Sequence, residues 1–216
     1  MAFMMTCASY YKCRIIRKAR AMTLIVSTML LFSACGSGPP PRLYLLERPP
    51  VPADASESIA QSTINALGIS EVKVPGYASD TRIANLKSNG VVVQIDDERW
   101  AEEPEDAITR LFAEQLRRRT GSSVLIEPWP RDYDPEARVE VTVEKLVREP
   151  DGGANLSGRI YLISGDGRRL LKALAFNTRA SGSSLDATEF FRAVAVIVDE
   201  LARLSIEALQ ALEAQS

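Results

Sequence analysis

A short apolar run divides this chain before any fold is considered. Five basic residues, Lys12, Arg14, Arg17, Lys18 and Arg20, precede an uncharged stretch from Ala21 to Phe32, and Ser33-Ala34-Cys35 follows directly. A membrane-crossing helix needs about 20 apolar residues, and this stretch supplies only about 12. A basic region, a short apolar region and small residues before a cut are the layout of a cleavable export signal. Any folded domain is therefore expected downstream of it.

The cysteine narrows the reading. Leu31-Phe32-Ser33-Ala34-Cys35 resembles the bacterial lipobox, in which the cysteine is acylated and becomes the first mature residue, with Phe32 standing where Leu is commonest. The alternative is a plain secretory signal whose cleavage site abuts a cysteine. The position of Cys35 between the apolar run and the following linker favours lipid attachment. The expected division is 1–34 signal peptide, 35–41 lipidated tether and 42–216 folded domain. The tether Gly36 to Pro41 reaches at most about 20 Å when extended, which keeps the domain near the membrane surface. Gly36 is not acidic, which under the aspartate retention rule permits sorting to the outer membrane.

Removing the 34 leader residues from 216 leaves 182, enough for one domain with its own core. The leader carries five of the 26 basic residues and none of the 28 acids, so the mature chain has a net charge of −7. An acidic exported domain is not expected to bind nucleic acid. Cys7 and Cys13 lie in the leader, so the mature domain has no internal disulfide and no cysteine metal site. The chain has no histidine, which rules out Ser-His-Asp and Cys-His catalysis and any histidine metal site.

The rest of the chain alternates clear signals with weaker ones. Arg42 to Glu47 reads as a strand stopped by Pro49 and Pro50. Ala53 to Ala66 is either loop or a short helix starting near Ser56. Ile69 to Val74 alternates and reads as a strand ending at Pro75-Gly76. Ser88-Asn89-Gly90 joins two extended runs, 82–87 and 91–95, as a hairpin in which Asn89 and Gly90 both tolerate positive φ. Pro104, the acids from Glu102 to Asp106, the apolar positions Ile108, Leu111, Phe112 and Leu116, the arginines 117–119 and Gly121 together specify a helix. Val124 to Ile126 is a short strand. Residues 138–147, 155–163 and 169–178 form an antiparallel meander around turns at 151–153 and 165–167. From about Asp186 to Ala211, Phe190, Val194, Ile197, Leu201, Leu204 and Ala208 mark a long amphipathic helix. The expected fold class is α/β or α+β: a single domain with a mixed, mostly antiparallel sheet covered by two long helices.

The chain also resembles the ABC-type transport auxiliary lipoprotein family, best known for the paraquat-inducible protein C lipoprotein. The likeness rests on an ordered set of pieces: the lipobox at Cys35, Leu43-Tyr44-Leu45-Leu46, Val72 to Tyr77, Asp80-Thr81-Arg82-Ile83 before the Asn89-Gly90 hairpin, and Asp97 to Glu102 before the first long helix. The Val-rich strand at 139–143 and the terminal helix complete it. Arg99-Trp100-Ala101-Glu102 is the most specific piece. Ala78-Ser79 before Asp80, and Glu103 ahead of Pro104, depart from the common pattern. The resemblance implies a periplasmic lipoprotein, usually anchored in the outer membrane. It implies work beside an ABC permease and ATPase and an MCE-domain protein in moving lipid between the membranes. An envelope lipoprotein that activates cell-wall synthesis or assists envelope protein assembly is the alternative, and an envelope hydrolase a third possibility.

Partner-binding candidates are Tyr77, on a loop after Pro75-Gly76; Arg99, able to pair with an acid of the 102–106 cluster; Trp100, whose structural reading is packing under the first turn of the helix; and Trp129, between two prolines, as core rim or exposed anchor. Asp96-Asp97-Glu98 lacks calcium-loop spacing and reads as a solvated turn. Gly165-Asp166-Gly167 is a hairpin turn, since no Lys-Ser/Thr and no helix follow. No cofactor, metal or catalytic residue is expected.

Overall fold

The computed structural model describes residues 39–48 and 64–214. Cys35 and the segment preceding Ile64, with its undecided helix or loop, lie outside the described residues. The described residues from Pro41 onward belong to one compact unit.

Strand β6, Ala137–Arg148, organises the sheet. It is 12 residues long, and its two edges are used differently. One edge pairs along its whole length, antiparallel, with β7, Ala154–Ser164, which in turn pairs antiparallel with β8, Leu170–Ala180. The other edge is shared. Its start pairs parallel with β2, Ala66–Ile69, from Leu67↔Ala137 to Ile69↔Val139. Its middle meets Lys73 opposite Thr142. Its end pairs parallel with β3, Arg82–Leu86, at Asn85↔Arg148. Two wings grow from this edge. β2 carries β5, Ser123–Ile126, in parallel. β3 carries β4, Val92–Trp100, antiparallel, and β4 carries β1, Arg42–Tyr44, in parallel. The long ladders are antiparallel and the short ones parallel, so the mixed sheet is as expected.

The alternation in β6 buries Val139, Val141 and Val143. A register shift after Val143 inserts one residue, so Leu146 rather than Lys145 turns inward beyond it. Side chains alternate with a period of two, and a single extra residue exchanges the faces.

Helix α1, Pro104–Thr120, has its proline in the first turn, Glu105 and Asp106 at its positive end and Arg117, Arg118 and Arg119 at its negative end. Gly121 closes it at φ 71°, donating its N–H to Arg117 O. That left-handed conformation costs glycine nothing. Helix α2, Ala187–Glu213, buries Phe190, Val194, Ile197 and Leu201. Arg119 of α1 grips both carboxylate oxygens of Asp199 of α2 at 2.7 Å.

Asp186 caps α2, accepting from Thr188 N at 2.8 Å. That bond holds its carboxyl below the usual carboxylate range. A depressed folded-state value means the cap's stabilisation is complete above the unfolded value and is lost as pH falls through the folded one. The melting temperature of Asp186→Ala should lie below that of the natural chain at neutral pH, and the gap should close on acidification through the carboxylate range. A gap that persists unchanged to low pH would show that the charged cap is not the cause.

Three expectations need correction. The 69–74 stretch is strand only at Ile69, the last residue of β2, and meets β6 again at Lys73; between them Val72 N donates to Thr109 Oγ1 of α1 instead of to the ladder. Strand β1 ends at Tyr44 rather than Glu47; Leu46 instead plugs the core. In the β3–β4 turn only Gly90 takes positive φ, 83°, and Asn89 does not. Gly90 N donates to Lys87 O, and Asn89 Oδ1 accepts from Val91 N, so this is a three-residue loop with glycine in the left-handed position.

Candidate functional site

Trp100 is core, not surface. It is 2% exposed and packs edge-on against Phe190 and Phe191, with ring centroids 5.8 and 4.7 Å away. Tyr44, opposite it in the β1–β4 register, stacks on Phe191 at 5.4 Å. The strand face that carries Tyr44 and Trp100 points at the start of α2, which supplies their aromatic partners. Direct partner contact through Trp100 is thereby corrected. Arg99 points the other way and is half-exposed. It bonds Asp96 O at 3.3 Å and approaches the Asp96 carboxylate at 3.7 Å, so its acid comes from its own strand. Glu102, from the cluster expected to pair with it, takes Arg110 of α1.

The acids 96–98 are not a solvated turn. They lie in β4, where the pairing with β3 shifts register. Glu98 is buried and accepts from Arg148 at 2.8 Å and Arg42 at 3.0 Å. The Arg148 guanidinium also donates to Asn85 Oδ1. This buried network ties β1, β3, β4 and β6 together. Among the described residues, no group of three metal-ligating side chains is placed to hold an ion.

Tyr77 and Trp129 are both partly exposed, and the fold keeps them apart. The Tyr77 hydroxyl accepts from Leu146 N at 3.2 Å, and its carbonyl accepts from Gln94 at 2.8 Å. Trp129 lies over Gly68, where an added Cβ would come within 2.7 Å of the ring. Arg138 sits 5.2 Å from the Trp129 ring centroid and Tyr133 lies beside it. Arg138 and Leu146 are at opposite ends of β6, roughly 25 Å apart at about 3.3 Å per residue. The two aromatics cannot form one patch.

A groove of about 600 Å³ runs beside Pro128, next in the chain to Trp129. Glu71, Glu102, Asp106 and Glu127 line it with Arg110. Neighbouring Glu105 is pushed up by burial, and by repulsion from Glu103, Glu71 and Asp106. This cleft is a negative surface, suited to a basic or polar partner. Sequence reasoning missed it because its acids come from a loop, a helix start and a strand end.

The family model for the ABC-type transport auxiliary lipoprotein component matches residues 44–204, from β1 through most of α2. The chain belongs to this family. Membership makes it a lipoprotein auxiliary component of ABC-type transport. Solved structures share the fold of this auxiliary lipoprotein. A Xanthomonas campestris protein is 14% identical, with a TM-score of 0.64 over 81% of this chain and 100% of its own. An uncharacterized protein is 16% identical, with a TM-score of 0.62 over 78% of this chain and 98% of its own. No curated protein matches the chain.

Proposed function

We propose that this auxiliary lipoprotein is a non-catalytic subunit of an ABC/MCE-type system that moves lipid between membranes. In this reading it is acylated at Cys35, sits on the periplasmic side of the outer membrane, and binds the system's MCE-domain protein. The observation that carries the reading is the family match across almost the whole described domain. The family is described as an auxiliary component of transport, a role of contact rather than chemistry. The lipobox and the short tether support the anchor.

Among the candidate contacts, the surroundings of Trp129 support this reading best. Trp129 follows Pro128 of the acidic groove in the chain, and its partly exposed ring lies over Gly68 beside Arg138; a tryptophan so placed has the make-up of an interface anchor. Trp129 is the partner contact in this proposal. Tyr77 and Arg99 lie elsewhere, and Trp100 supports the fold behind them.

Loss of the anchor tests the reading in cells. A strain lacking the chain should show altered envelope lipid permeability, restored by the natural chain but not by Cys35→Ser, which should accumulate unprocessed and without an acyl label. Normal permeability in the deletion strain would move the reading to cell-wall activation or envelope protein assembly.

A further inference from the structure

The β3–β4 hairpin has an apolar tip that no other strand among the described residues covers. Beyond Asn85↔Arg148, the described residues place no third strand beside β3. β1 joins β4 only at Glu98, so the section around the turn is a bare two-stranded ribbon. Val91, Val92 and Val93 are 50%, 39% and 38% exposed. Successive residues of a strand point to opposite faces, so this ribbon is apolar on both. A single exposed valine needs no explanation, but three in a row on a projecting hairpin do. Between Asp80 and Asp96 the charged residues are Arg82 and Lys87, both basic, in a mature chain that is otherwise acidic. The turn is internally satisfied, with Lys87 N bonded to Val91 O and Gly90 N to Lys87 O.

The direction of β1 fixes what this tip faces. β1 runs parallel to β4, so its N-terminal end, Arg42, points toward the end of β4 that carries the turn. Leu43 is level with Arg99, and Arg99 with Arg82. Lys87 lies five positions farther along β3, roughly 16 Å at about 3.3 Å per residue. The seven residues from Cys35 to Pro41 span at most about 25 Å. The reach of the tether is thus enough to set the acylated cysteine at the height of the tip. Leu185, also exposed, lies at this end, over the β6–β7 turn where Gly152 approaches it.

We propose that the β3–β4 hairpin rests in the headgroup region of the bilayer, making Val91–Val93 a second membrane contact beside the acyl chains. The proposal rests on anchoring at Cys35 and not on any transport partner. The acyl chains at Cys35 hold the protein to the bilayer through a tether that leaves the domain's orientation open, and a second apolar or basic element would fix it. Lys87 can keep its ammonium among phosphates while its stem lies along the valines. The polar Ser88-Asn89-Gly90 turn limits the depth to the interface. The domain then stands with the hairpin at the lipid and Trp129, at the other end of β6, facing away from it.

The test uses the full acylated chain in vesicles of phosphatidylethanolamine and phosphatidylglycerol. With Cys35 acylated and Cys7 and Cys13 removed with the signal, Val91→Cys supplies one free thiol for an environment-sensitive fluorophore, and Arg131→Cys supplies a control near Trp129. The label at 91 should shift to the blue and be quenched by headgroup-level spin-labelled lipid, while the label at 131 should do neither. A water-like signal at both positions, with the protein membrane-bound and folded by circular dichroism, would overturn the proposal. So would a shift at 91 that appears only when a protein partner is added, which would assign the hairpin to that partner. A chain that stays soluble with a free Cys35 thiol would overturn the anchor, and this orientation with it.

Discussion

Leu201→Asp should abolish the folded state under ordinary conditions. Leu201 is 1% exposed, in the centre of the buried face of α2, one turn from Ile197 and Val198. An aspartate there sits within the hydrophobic core cluster and must either stay charged in an apolar setting or take up a proton. Either course costs several kcal/mol, and domains of this kind are stable by about 5–15 kcal/mol. The control is Val196→Asp on the same helix, where the side chain is 46% exposed; its effect should stay within about 0.5 kcal/mol. Urea unfolding followed by circular dichroism separates the two. A Leu201→Asp protein as stable as the natural chain would make α2 a peripheral element rather than half of the core.

Glu98→Ala should be nearly as damaging, for a different reason. It leaves Arg148, itself buried, without its ion-pair partner, keeping the hydrogen bond to Asn85 and a longer-range attraction to Asp186, and it removes the Arg42 side chain's bond to β4. Removing one partner of a buried ion pair costs about 3–5 kcal/mol, whereas replacing both by apolar groups of similar size is often near neutral. The double variant Glu98→Met with Arg148→Met should therefore be clearly more stable than Glu98→Ala. Equal losses in both would mean that the network itself, and not the unpaired charge, holds the four strands together.

The contrast between these sites shows what the sequence makes legible. Helices α1 and α2 and the β6–β7–β8 meander announce themselves because caps, turns and periodicity are local. The parallel pairs β1–β4 and β2–β6 span three residues each and join distant segments, so no local pattern reveals them. They in turn decide that Tyr77 and Trp129 fall at opposite ends of β6. Glu98 was hidden by its two acidic neighbours, which suggest solvent. The available signal was spacing: Glu98 and Trp100 are two apart in one strand and so share its inner face. Trp100 itself could be recognised as structural, but its aromatic partners are 90 residues on in the chain, in α2.

The central claim is that the domain works by holding a protein of a lipid-transport system. Its most direct measurement is affinity purification of the tagged, acylated chain from membranes, with mass spectrometry of co-eluting chains and a photo-crosslinking residue at Trp129. The account predicts an MCE-domain protein or its ABC permease among the recovered chains, crosslinked from position 129 and lost when charges in the Glu71–Glu127 groove are reversed. Recovery of cell-wall or assembly proteins without any transporter component would contradict it, as would turnover of an envelope substrate by the purified domain that a single carboxylate change abolishes.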